Sequence, residues 1–201
     1  VEVSVVVPAY NEEQRICFFL DSLIDFANGA SSSYEILVVT DGCTDSTSEV
    51  VNRYSKEFPA IKLVTFPRRL GKGGALKLGL RSCNGHYLIY MDADGGYDPK
   101  EIPRLLQVLD NVDCAVGCRG LPGAIMNPRP PMIRRIAGYL FARLVNLLLL
   151  KEIKDTQAGF KAFKREVINK TLAQVSANSF DLDVQLLVRA RNNGFKLAQV
   201  P

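Results

Sequence analysis

The sequence predicts an α/β protein: a mostly parallel sheet covered by helices. Three observations carry that reading. Short apolar runs alternate with stretches of helical apolar spacing as far as residue 118. The pitch of the alternation leaves room for the crossover helices that parallel strands require. And three of the first four strand-like runs end in polar or acidic residues, at the carboxyl edge where such sheets bind ligands.

Taken in order, Val3–Val7 is a β-branched run ending at Pro8, and 12–27 follows with Ile16, Phe19, Leu20, Leu23 and Ile24 at helical spacing. Ile36–Val39 reads as a second strand and 44–56 as a helix that Thr44 or Asp45 can cap. Ile61–Phe66, Tyr87–Met91 and Cys114–Cys118 read as further strands, with helices over Lys72–Ser82 and Pro99–Leu109. Beyond them come a connector from residue 152, a helix near 180–193 and a final strand near 196–200.

A chain of 201 residues bounds this to one domain with a sizeable core. With 47% hydrophobic and 23% charged residues it is globular, and a net charge of +4 is too mild to call for a nucleic-acid partner. Five scattered cysteines without a CxxC pair indicate neither a disulfide framework nor a zinc site, which favours a reducing, cytosolic-side environment. The chain begins at Val1 inside one strand-like run and stops at Pro201 in another, so a longer protein is expected. No apolar run approaches the roughly 20 residues that span a bilayer, and no signal-peptide pattern is read in these residues.

Residues 1–118 and 119–201 differ in character. Arg119 to Lys151 holds no acidic residue but carries Arg129, Arg134, Arg135 and Arg143 between those ends. Its stretch 132–150 spaces Ile133, Ile136, Ala137, Leu140, Phe141 and Leu144 as one apolar helical face interrupted by arginines, the pattern of an amphipathic helix at an anionic lipid interface. The plain alternative is a core-packing helix with a solvated basic face.

The stretch YMDADGGYDP places Asp92 and Asp94 one residue apart at a strand end, able to share a hard divalent cation such as Mg²⁺ or Mn²⁺ with a substrate diphosphate. An Asp/Gly turn is the alternative. VVVPAYNEE presents Tyr10, Asn11 and Glu12 as a helix start capped by Asn11, and the same turn can at once receive a nucleotide base. Asp41, ending the second strand, is placed to accept from a base or a ribose hydroxyl, or else forms a simple turn with Gly42. PRRLGKGGALKLG lacks the Ser/Thr of a Walker A loop, and Leu76 breaks a dinucleotide GxGxxG. What remains is a basic, glycine-rich helix start suited to an anionic group. His86, the single histidine, has no nucleophile pattern around it and reads as structural.

VPAYNEE, TDGCTD, GKGGA, MDADG and DTQAGFKAF, in that order, resemble the inverting family 2 glycosyltransferases, and within them the polyprenyl-phosphate hexose synthases. Gly95 after DAD and the DTQ-x-GFK string are most similar to the dolichyl-phosphate β-glucosyltransferase branch. The resemblance implies a GT-A type, Rossmann-like single domain with a nucleotide-sugar half (1–118) and an acceptor half (119–201). It implies that Pro8, Tyr10, Asn11 and Glu12 flank the nucleotide, that Asp41 meets the base, and that Gly71, Lys72 and Gly73 lie alongside. Asp92, Ala93 and Asp94 would border the diphosphate, Asp92 and Asp94 holding the metal. Arg119 in GCRG and Arg134 or Arg135 would hold the acceptor lipid phosphate, which makes Asp92, Asp94 and Arg119 the catalytic candidates. Asp155, Gln157 and Gly159 would border the sugar, and Asp181 and Asp183 in FDLD stand where relatives carry FDxE. Two departures stand out: Thr40 where many members have Asp, and Gly96 where the mannose branch has a metal-ligating Gln.

The implied reaction moves glucose from UDP-glucose to dolichyl or another polyprenyl phosphate with inversion, at the cytoplasmic face of the endoplasmic reticulum or of a prokaryotic plasma membrane. GDP-mannose as donor, or a sugar hydroxyl as acceptor, is the nearest alternative; a hydroxyl would need a carboxylate base from Asp155, Asp181 or Asp183. A nucleotide-sugar-binding module without turnover and an NAD-dependent oxidoreductase are more distant, the latter disfavoured by Leu76.

Overall fold

The computed structural model describes residues 1–118, 121, 153, 155–176 and 181–201. The strands are β1 (Val3–Ala9), β2 (Tyr34–Asp41), β3 (Ile61–Phe66), β4 (Tyr87–Met91), β5 (Cys114–Gly117), β6 (Phe160–Lys164) and β7 (Leu197–Val200). The helices are α1 (Ile16–Gly29), α2 (Thr47–Glu57), α3 (Lys72–Ser82), α4 (Ile102–Leu109, entered through a 3₁₀ turn at Pro99–Glu101), α5 (Arg165–Thr171) and α6 (Leu182–Asn192). One seven-stranded sheet runs in the order β3-β2-β1-β4-β6-β5-β7.

Alternate residues of each strand enter opposite layers, as the period of two requires. Val3, Val5 and Val7 pack with α1, α2 and α4 on one face. Val6, Leu88 and Tyr90 pack with α3, α5 and α6 on the other. Burial on both faces is why β1, β4 and β5 read as continuous apolar runs, while the edge strand β3 keeps Lys62 and Thr65 exposed.

The expected connector after residue 152 is the main correction. Phe160–Lys164 is a strand, and α5 follows it directly. β6 runs antiparallel to both β4 and β5, pairing Met91 with Phe160 and Ala115 with Ala162. The sheet is therefore mixed at its centre, and strands of the second half are threaded into the sheet of the first. The interfacial helix expected over 132–150 lies outside the described residues.

At the amino edge of the sheet, a buried carboxylate ties three elements together. Glu35 accepts from Ser4 Oγ at 2.6 Å, from Lys62 Nζ at 2.7 Å and from the Asn84 backbone N–H. Burial pushes its carboxyl up, but these donors outweigh it and hold the group down at about 2.

Candidate active site

β1, β2 and β4 are parallel neighbours, so their carboxyl ends open on one edge. There a pocket of about 540 Å³ is lined by Pro8, Tyr10 and Glu12 after β1, Asp41 from β2, Arg69–Lys72 before α3, and Asp92–Asp94 after β4. The convergence expected from the strand ends is thus a cavity of the right scale for a small ligand.

The two loops at its floor are laced together. Asn11 sits in the left-handed region (φ 53°), a conformation Asn tolerates better than most residues. Its Oδ1 accepts from the Thr44 N–H at 2.9 Å and its Nδ2 donates to Thr44 Oγ1 at 3.1 Å. Asn11 is not the helix cap: α1 starts at Ile16, and Asn11 instead joins the β1 loop to the β2 loop. The Glu12 N–H donates to Thr47 Oγ1 at 2.8 Å, while its carboxylate takes both nitrogens of the Arg15 fork at 2.7 and 2.8 Å. Partial burial raises the Glu12 carboxyl, Arg15 opposes that, and the charge of Asp94 adds to the rise. Neither Thr44 nor Asp45 is the α2 cap; Ser46 holds that position, with Asp45 Oδ1 accepting from the Thr47 N–H at 3.0 Å.

Asp41 is almost wholly buried, and both its oxygens are engaged by backbone: Oδ1 by the Leu70 N–H at 2.6 Å and Oδ2 by the Gly71 N–H at 2.8 Å. These charge-assisted bonds fold the basic loop over the pocket. Gly42 (φ 62°) lets that loop approach, since a Cβ there would lie 2.7 Å from the Arg69 nitrogen. Gly71 (φ 83°) turns the chain into α3, and Gly73 is buried in the first turn. At the mouth the Arg69 guanidinium lies 3.9 Å from the centre of the Tyr10 ring, a cation–π contact.

The two carboxylates of DAD are held differently. Lys72 Nζ sits 2.9 Å from each Asp92 oxygen, and the Tyr90 hydroxyl donates to Oδ1 at 2.7 Å. The Asp92 N–H donates to the Gly159 carbonyl at 3.0 Å. A Cβ on Gly159 would fall 1.9 Å from Asp92 Oδ2, so only glycine fits against this carboxylate. Ala93 is buried between the two acids. Asp94 is exposed and accepts from the Gly96 N–H at 2.9 Å. Burial, then the charges of Asp183 and Asp92, push the Tyr90 phenol well above its ordinary range, so it acts as a donor.

DTQAGFK thus meets the site through Gly159. Asp155 and Gln157 are half-buried on its approach, and Thr156 is buried between them with no hydrogen-bond partner for its hydroxyl among the described residues. Asp183 is not free to serve as a base: it is buried and paired to Lys161 Nζ at 2.8 Å. Asp181 is exposed at the start of α6, accepting from Gln185 Nε2 at 3.2 Å. Arg119, Arg134 and Arg135 lie outside the described residues. Reasoning from sequence missed Arg69, Tyr90 and Lys161. Arg69 carried one available signal, its place in the same basic loop as Lys72.

A family model described as glycosyl transferase family 2 matches residues 4–172. The chain belongs to that family. It is 34% identical over 211 residues to a dolichyl-phosphate beta-glucosyltransferase of Dictyostelium discoideum, covering 98% of the chain and 64% of that protein. It is also 34% identical over 207 residues to the glycosyltransferase AglD of Haloferax volcanii, covering 100% of the chain and 32% of that protein. The chain therefore spans between about a third and two thirds of these relatives. The structure of glucosyl-3-phosphoglycerate synthase from Mycobacterium tuberculosis in complex with Mn²⁺, UDP and phosphoglyceric acid superposes with a TM-score of 0.74 at 24% identity, covering 99% of the chain and 68% of that one. The fold is thus that of the GT-A glycosyltransferases, a single domain.

Two hard oxygen donors on one strand end, facing an open cavity, suit a divalent cation that also takes diphosphate oxygens. Among the described residues no cluster of three His, Cys, Asp or Glu side chains offers a fuller cage. Among them also, no helix is long and apolar enough to cross a membrane.

Proposed function

We propose that this chain is the catalytic domain of a polyprenyl-phosphate β-glucosyltransferase, moving glucose from UDP-glucose to dolichyl phosphate or a related lipid phosphate. The observation that carries it is the single pocket joining Tyr10 and Arg69, the Asp41-held loop, and Asp92 with Asp94. The relatives named dolichyl-phosphate beta-glucosyltransferase support glucose as the sugar moved and dolichyl phosphate as the acceptor.

In this reading Tyr10, under Arg69, offers a flat apolar surface to the base. Asp41 acts through the loop it holds, keeping Gly71 and Lys72 beside the diphosphate. Asp92 and Asp94 would hold Mg²⁺ or Mn²⁺, which when bound supplies positive charge to the departing nucleoside diphosphate. The acceptor phosphate oxygen forms the new bond to the anomeric carbon as the bond to UDP breaks, from the opposite face. A phosphate monoester is already anionic near neutral pH, so no proton need be removed. Of the three carboxylates that could serve a hydroxyl acceptor as base, Asp183 is withdrawn by its pairing with Lys161. Arg119 and either Arg134 or Arg135 are the proposed phosphate ligands, with 132–150 at the cytoplasmic membrane surface and 119–201 as the acceptor half.

The test is transfer of labelled glucose from UDP-glucose into an organic-extractable, mild-acid-labile product by the full-length protein. GDP-mannose runs in parallel and each divalent ion is added in turn. Labelled product from UDP-glucose that disappears in Asp94→Ala supports the reading. Product from GDP-mannose alone would replace the donor, and no lipid product with either would overturn the reading.

A further inference from the structure

The pocket residues leave one strong polar contact without a role: the Tyr90 hydroxyl on Asp92. Tyr90 is fully buried on β4, on the face shared with α3 and α6. Its neighbour on that face of the strand, Leu88, is apolar, so the fold there asks only for a filled volume, which Phe would supply. A buried hydroxyl must instead find a partner, and the partner here is the carboxylate assigned to the cation.

An Asp carboxylate turns about a broad two-fold torsion, so something must choose its orientation. Lys72 does not choose: its ammonium stands 2.9 Å from both oxygens, and an ammonium is a compact point charge without a fork. Gly159 forms a wall against Oδ2 but donates nothing to it. Among the described residues, the Tyr90 hydroxyl is the donor that reaches one oxygen, Oδ1, and not the other. The phenol is itself held firmly, with the Lys72 and Lys161 ammoniums each 5.4 Å from the ring centre and Lys161 tied to Asp183.

We propose that Tyr90 is a positioning residue for the cation: its hydroxyl locks the rotation of Asp92 so that the carboxylate meets the ion already aligned. The inference rests on the reading that Asp92 and Asp94 hold a divalent cation. Donors behind a ligating group set its orientation, and their loss lowers metal affinity by about 10- to 100-fold.

The test measures Mn²⁺ affinity directly, with and without UDP, from the paramagnetic resonance signal of the free ion. Tyr90→Phe and Tyr90→Met both remove the hydroxyl, so either one that folds serves. Each should bind Mn²⁺ about tenfold more weakly than the unaltered protein. Leu88→Ala, on the same strand face without a polar contact, should lower the melting temperature and leave Mn²⁺ affinity unchanged. Equal Mn²⁺ affinity in a folded Tyr90 variant, or an equal loss in Leu88→Ala, overturns the proposal. Failure of the unaltered protein to bind Mn²⁺ even with UDP would instead overturn the metal reading on which it rests.

Discussion

Lys161→Met isolates the buried ion pair beneath the site. Lys161 and Asp183 have side chains 1% and 7% exposed, with Nζ 2.8 Å from Oδ1. Methionine keeps most of the volume of the stem and removes the charge, leaving the Asp183 carboxyl without its partner in the core. Breaking one partner of such a pair costs about 3–5 kcal/mol. At about 2–4 °C per kcal/mol for a domain of this size, the melting temperature should fall by roughly 6–20 °C. The Ala158 carbonyl, which also accepts from Lys161, loses its donor. For that reason Lys161→Met/Asp183→Leu should recover most of the loss and still fall short by about 1–3 kcal/mol. Urea unfolding of the two single variants and the double closes the cycle. A single-variant cost below about 1 kcal/mol would refute the reasoning, as would a double variant whose loss equals the sum of the singles.

Two further outcomes follow from packing and charge. Gly159→Ala would place a Cβ 1.9 Å from Asp92 Oδ2. It should cost about 1–3 kcal/mol of stability by overpacking and weaken UDP binding in the presence of Mn²⁺, read by calorimetry; unchanged binding would show that the Asp92 orientation is immaterial. Glu35, held at about 2 against an ordinary 4.5, contributes stability that is complete above pH 4.5 and is lost as pH falls from there through about 2. Glu35→Gln should flatten that acid limb of the stability curve by on the order of 3 kcal/mol; an acid limb identical to that of the unaltered protein would count against the assignment.

The sequence was most legible where burial is two-sided. β1 to β5 announce themselves as apolar runs, and the strand ends locate Asp41, Asp92 and Asp94 because the chain must leave a parallel sheet at its carboxyl edge. β6 was hidden by its lysines. In FKAFK the pattern reads as a solvated segment, yet Lys161 is buried because Asp183, 22 residues later, supplies its counter-charge. No local window contains that pairing. The helix-cap alternative for Asn11 fails for a similar reason: its side chain bridges to Thr44 on the neighbouring loop, and no local window shows that loop. The Arg69–Tyr10 contact joins residues 59 positions apart in sequence and leaves no periodic trace.

The placement of β6 also bears on the order in which the molecule can assemble. β1, β2 and β3 pair through short crossovers, and β4 adds beside β1 as soon as residue 91 is available. β5, made next, has no partner among them: its neighbours are β6 and β7. The gap between β4 and β5 closes only when 160–164 inserts there, paying for a loop of some 70 residues, a step that non-local pairing makes slow. The Gly159 carbonyl reaches the Asp92 N–H in that same step. A chain halted before residue 159 could therefore hold the strand ends that shape the pocket while one wall of Asp92 stood open. The finished carboxyl edge would then double as a marker that the centre of the sheet has been sealed.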